Sequence, residues 1–191
     1  MKQHFRNDGI VLQAIALLLI FTLNTPTLAR PFLWQTHSED DFLYLFDLEQ
    51  FELKHKIYVG PRAHGIATPT DTSMVYITIE KKGDPQGEVL WIDPVSKSIV
   101  HRLNVGPEPH EIEITPDGRW LYVPCGDGNY WVVDTTLRQV AKKIETRGRP
   151  HNTNVSTDGR HMFLSPLGEP GEVTVVDVEA NHKVIGTISF S

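Results

Sequence analysis

From Phe42 onward, short runs of β-branched, aromatic and other apolar residues alternate with polar clusters rich in Asp, Gly and Pro. The runs at 75–79, 120–123 and 162–164 form one set, and those at 89–92, 130–133 and 173–176 form a second that ends on Asp93, Asp134 and Asp177. A third set lies at 99–105, 140–144 and 184–188. This composition predicts strands. Segments that begin at His64, His110 and His151 complete a unit of four.

The unit repeats. Arg62-Ala63-His64-Gly65-Ile66, Pro109-His110-Glu111-Ile112 and Pro150-His151-Asn152-Thr153 are three versions of one phrase, with the histidines 46 and 41 residues apart. Tyr76, Tyr122 and Phe163 each follow their histidine by 12 residues. Length variation falls between that aromatic and the strand-ending aspartate, where the steps are 17, 12 and 14. Pro116-Asp117-Gly118 and Thr157-Asp158-Gly159 are hairpin signals between the first and second strands, and Thr70-Asp71-Thr72-Ser73 replaces them in the first copy. The strand-ending aspartates suit turns in which a carboxylate accepts backbone N–H bonds two or three residues ahead, a better account than catalysis.

A period of this length, made of four short antiparallel strands, predicts an all-β protein whose units are β-propeller blades. A half blade at 42–63 and full blades at 64–109, 110–150 and 151–191 give about three and a half blades. Closed propellers use four to eight. The chain stops where a fourth histidine phrase is due, so the reading expects an incomplete propeller, the N-terminal part of a longer one.

The first 29 residues carry Lys2 and Arg6, an apolar stretch from Ile10 to Leu23, and the small-residue pattern Thr27-Leu28-Ala29. They predict a signal peptide, followed by a linker at 30–41, and therefore a secreted or periplasmic protein. Losing that leader moves the formal net charge from −6 to −7, with 16 cations against 23 anions. An acidic chain without a Lys/Arg cluster is not expected to bind nucleic acid, and no membrane contact beyond the signal segment is expected. Cys125 is the sole cysteine, which excludes an intrachain disulfide and suits a small residue near a strand end.

The phrases Val105-Gly106-Pro107-Glu108-Pro109-His110, Thr115-Pro116-Asp117-Gly118-Arg119-Trp120-Leu121-Tyr122-Val123 and Val132-Val133-Asp134-Thr135-Thr136 resemble the extracytoplasmic YVTN-family propeller repeat. That resemblance covers Phe42 to the C-terminus. It implies a fold shared by surface-layer proteins, periplasmic binding propellers and relatives of lactonases and redox-enzyme domains.

With the innermost strand starting at the histidine, His64, His110 and His151 are expected at one mouth of the central channel. The variable loops at 80–88, 125–129 and 166–172 reach the same face and carry Glu80, Lys81, Lys82, Asp84, Asp127 and Glu169. Variable loops on a rigid scaffold are where recognition usually resides. The reading is a binding scaffold for a small molecule or a cell-envelope protein, with His64, His110, His151, Glu111, Asn152 and Asp127 as candidate ligand-binding residues.

No cofactor is expected. The weaker alternative is a ring of imidazoles that binds copper, zinc or haem in the complete protein. Blade spacing argues against that, and adjacent strand residues such as Glu111 and Asn152 should point away from their histidines. A lactonase-like hydrolase would need His110 with Glu108 or Glu111 as a base. His37, His55, His101, His161 and His182 read as surface or turn residues, and Trp91, Trp120 and Trp131 as blade packing.

Overall fold

A computed structural model describes residues 31–168 and 170–190; the segment expected as a leader, Glu169 and Ser191 lie outside the described residues. The first sheet holds β1 (Phe32–Thr36), β2 (Phe42–Asp47) and β3 (Glu52–Tyr58), in that order. The second holds β4 (Ala63–Ala67), β5 (Val75–Ile79), β6 (Gly87–Asp93) and β7 (Ser98–Val105). β8 (Glu113–Ile114), β9 (Trp120–Pro124), β10 (Asn129–Asp134) and β11 (Gln139–Glu145) make the third. β12 (Arg149–Val155), β13 (His161–Leu167), β14 (Glu172–Asp177) and β15 (Lys183–Ser189) make the fourth. Every neighbouring pair is antiparallel.

The first sheet begins earlier than the sequence suggests. β1 lies in the stretch expected as linker and pairs with β2 from Phe32↔Asp47 to Thr36↔Leu43. Its five residues carry no repeat phrase, so only the ladder with β2 reveals it. Counting from the aspartates, β1 matches the second strand of the other units. The first sheet therefore has no described counterpart of the histidine strands.

The strand-ending aspartates build the turns expected of them. The Oδ1 of Asp47 accepts the N–H groups of Glu49 and Gln50 at 2.9 and 3.1 Å, that of Asp93 those of Val95 and Ser96 at 2.7 and 3.2 Å, and that of Asp134 those of Thr136 and Leu137 at 3.0 and 2.9 Å. Asp177 Oδ1 accepts from Ala180 at 3.0 Å. Four residues past each aspartate the chain enters the left-handed region, at Phe51, Lys97, Arg138 and Asn181, with φ between 53° and 56°. None of the four is glycine.

Alternation along each strand gives every sheet two apolar faces, and consecutive sheets bury one face of each against the next. Leu43 of the first sheet packs with Val75, Ile77, Ile79, Leu90 and Ile92 of the second. Tyr76, Val89 and Trp91 of the second meet Leu121, Val123 and Val133 of the third. Tyr122, Tyr130, Val132 and Ile144 of the third meet Met162, Leu164 and Val176 of the fourth. Inner strands touch across sheets, β4 with β8 and β8 with β12, and in the first sheet β1, the second-strand equivalent, touches β4.

Arg138→Gly should stabilise the protein by about 1 kcal/mol, because Arg138 is exposed and holds a left-handed φ of 55° that disfavours a Cβ. Denaturant unfolding checks this; an unchanged or lower midpoint would show that the turn carries no such strain.

Candidate functional site at the histidine mouth

Hydroxyl groups of one sheet fix the histidine strand of the next. Thr36 Oγ1 donates to the carbonyl of His64. Thr78 Oγ1, in the matching position of β5, accepts the Gly65 N–H at 2.8 Å and donates to the His110 carbonyl at 3.0 Å. At the third junction Tyr130 Oη takes over, accepting the His151 N–H at 3.1 Å and donating to the Asn152 carbonyl at 3.3 Å. The backbones approach closely here: a Cβ on Gly65 would lie 2.4 Å from the His110 carbonyl oxygen.

These contacts set the three imidazoles in a column. Ring centroids of His64 and His110 are 3.9 Å apart at an interplanar angle of 44°, and those of His110 and His151 are 4.0 Å apart at 38°. Equivalent histidines of adjacent sheets are thus in contact, contrary to the separation expected from blade spacing. The reason is the close approach of the inner strands at Gly65. Among the described residues no group of three His, Cys, Asp or Glu side chains is arranged to hold a metal ion.

Charged groups flank the column. Glu80 Oε2 accepts from Arg62 Nε at 2.8 Å and lies 3.7 Å from His64 Nδ1. Burial raises the Glu80 carboxyl, but the Arg62 hydrogen bond and charge outweigh it and hold the group below the usual carboxylate range. Glu111 Oε1 is 4.0 Å from His64 Nε2, and Glu108 Oε2 is 3.5 Å from Arg149 Nη2. The carboxylates named beside His110 therefore pair elsewhere.

Asn152 also departs from expectation, because its Oδ1 lies 2.7 Å from Nδ1 of His151. The β12–β13 register shifts between Arg149 and Asn152, which breaks the alternation that would separate the two side chains. Asp127 is not drawn into the column; its carboxylate binds the Trp131 Nε1–H at 3.1 and 3.3 Å and the Asn129 N–H at 3.2 Å. Arg62 and Arg149 are the site residues that sequence reasoning missed. The first precedes His64 by two residues and holds a positive φ of 59°, a placement without a sequence signal.

His110 lies in the middle of the column. Burial, reinforced by the neighbouring His64 and His151 rings, pushes its pKa down from 6.5 to about 4. Its Nδ1 and that of His64 are buried without a hydrogen-bond partner. The imidazole at the centre is therefore neutral at pH 7, a form able to accept or donate one hydrogen bond to a ligand.

His182 lies in the turn between β14 and β15, one of the two places expected for it, but not at the surface. It is buried, with Nδ1 2.6 Å from Tyr122 Oη and its ring edge-on to Trp120 at 4.4 Å. Burial, then the charges of Lys142 and Arg119, lower its pKa to about 4. It braces the turn-bearing side of the third junction. Cys125 is buried and burial pushes its thiol well above the ordinary value, so it packs rather than reacts.

Among solved structures, the chain is similar to hydrazine synthase of Kuenenia stuttgartiensis, with a TM-score of 0.73, 20% identity, and coverage of 83% of this chain and 46% of that one. It is also similar to the β-propeller domain of Myceliophteria thermophila Cps50 (Swd1), with a TM-score of 0.71, 10% identity, and coverage of 84% and 52%. The fold is that of a β-propeller. The chain spans about half the length of these structures. No family model and no curated protein matches the sequence, so the YVTN resemblance rests on the repeat phrases themselves.

His110 and His182 regain an ordinary pKa near 6.5 on unfolding, as does His101, which burial and the Arg138 charge also hold below that value. As pH falls from that value the unfolded chain takes up protons first, so their stabilising contribution is complete above 6.5 and is lost down through about 4. Denaturant midpoints should fall across that window, and His110→Phe, which keeps a ring without a titrating group, should reduce the slope. A slope unaltered by the substitution would contradict burial of a neutral His110. Gly65→Ala should cost about 2 kcal/mol or more by driving the inner strands apart, and its thermal unfolding midpoint checks this; a change within error would show that the strands are not in contact.

Proposed function

We propose that this chain is a secreted or periplasmic propeller scaffold of the YVTN type that binds a small molecule or a cell-envelope protein at its histidine mouth. The observation that carries the reading is the column His64–His110–His151, whose rings are in contact and are flanked by the Arg62–Glu80 pair and by Glu111. Glu80, Arg62 and Glu111 around the column, and Asn152 on His151, supply donors and acceptors of both signs, which suits an uncharged polar or zwitterionic ligand better than a strong anion.

A hydrolytic role is less well supported. A general base works best with a pKa near the operating pH, whereas that of His110 is about 4.

The test is an NMR titration of the imidazole resonances against a panel of neutral and zwitterionic metabolites and lactones, beside the same titration of His110→Ala. Binding should move His64, His110 and His151 together and disappear in the variant. Ligands that shift only His182, or bind equally well without His110, would contradict the assignment, and turnover of a lactone lost in His110→Ala would replace scaffold with enzyme.

A further inference from the structure

The junction between the first and second sheets is filled less completely than the two that follow. In the second junction Trp91, opposite His101 in register, is buried and meets the His101 ring edge-on at 4.9 Å. In the third, Lys142 Nζ donates to the Asn181 and His182 carbonyls at 2.8 and 3.0 Å, and His182 turns inward against Tyr122. The first junction has neither device. Leu45 stands opposite His55 where the second sheet has Trp91 opposite His101. Counting from the strand-ending aspartates Asp93 and Asp177, Ser98 takes the place of His182, and it is exposed with its hydroxyl 2.8 Å from that of Ser96.

The space left is a cavity of about 930 Å³ on the turn-bearing side, away from the histidine mouth. Trp34 and Leu45 form one wall and Ile66, Ala67 and Val75 the other, so both walls belong to described sheets. The matching cavity at the third junction is about 560 Å³ and is lined by Asp117, Arg119, Asp158 and Glu179. Apolar walls are therefore particular to the first junction. Lys54 of β3 and Lys97 of the turn after β6 also line the larger cavity, the first exposed and the second half-buried, which puts two cations at its rim. Lys54 Nζ lies 2.9 Å from Glu52, an exposed pair that opposes a competing anion only weakly. Asp47, the one carboxylate among the lining residues, is buried, and its Oδ1 accepts the N–H groups of its own turn.

We propose that this cavity binds an amphiphilic monoanion, an aliphatic chain with a carboxylate head, with the chain between Trp34, Leu45 and Val75 and the head at Lys54 and Lys97. Apolar walls with a few polar groups at one end, enclosing a volume of this size, are the usual form of a small-molecule site. Burial of the chain's methylenes holds the ligand. The head stays hydrated beside the two ammonium groups, so no unpaired charge is buried. The site lies at the opposite end of the sheets from the histidine column and is independent of it.

Isothermal titration calorimetry of the purified full chain with dodecanoate, below its micelle concentration, tests this. A single saturable site is expected, and its occupation should move the Trp34 indole N–H resonance. Dodecyltrimethylammonium should bind about tenfold more weakly, and so should dodecanoate to the double variant Lys54→Glu with Lys97→Glu, since each exposed charge contributes a small share. Leu45→Trp gives the first sheet the ring that the second carries at Trp91, and should abolish binding without lowering the thermal midpoint. The lysine variant keeps the test decisive where Leu45→Trp does not fold. Absence of saturable binding, as when residues preceding Pro31 already occupy the space, would overturn the proposal. So would a dodecanoate site that persists in folded Leu45→Trp, equal binding of the cationic head, or a Trp34 resonance that binding leaves in place.

Discussion

A sheet with apolar side chains on both faces cannot remain alone in water, and the rest of this structure follows from that requirement. The burial of Tyr76, Val89 and Trp91 against Leu121, Val123 and Val133, and its counterparts at the other junctions, sets the distance and order of the sheets. Burial of apolar area is non-directional, so it does not by itself decide where the inner strands sit. The directional part comes from Thr36, Thr78 and Tyr130, whose hydroxyls bind the backbone of the following histidine strand. Together they convert a repeat in sequence into a column of imidazoles.

The fold was legible because its signals are periodic. Strands at 75–79 and 173–176 stand out by composition, and Asp93, Asp134 and Asp177 end the third strand of each unit with a turn whose chemistry is local. β1 was not legible, since Phe32–Thr36 has no phrase in common with the other units and is defined by its partner alone. The left-handed residues at Phe51, Lys97, Arg138 and Asn181 were equally hidden, because the aspartate turn imposes that conformation on whatever side chain stands there.

The site was legible in part. The recurring histidine identified the column, but not its contact distance, which depends on Gly65 allowing the His110 carbonyl within reach. The bond from Asn152 to His151 depends on a bulge, and Arg62 reaches Glu80 from a strained backbone position; neither has a signature in residue type or spacing. His182, expected at the surface or in a turn, does lie in a turn, but its burial was not legible, because the Tyr122 hydroxyl that partners it is 60 residues away.

The most direct test of this account is the set of nuclear Overhauser contacts among the histidine rings in protein labelled selectively at histidine. Cross-peaks are predicted between the rings of His64 and His110 and between those of His110 and His151, whose centroids lie 3.9 and 4.0 Å apart, and none between His64 and His151. Absence of both contacts in folded protein would contradict the column, and with it the positioning of the inner strands by the hydroxyls of neighbouring sheets.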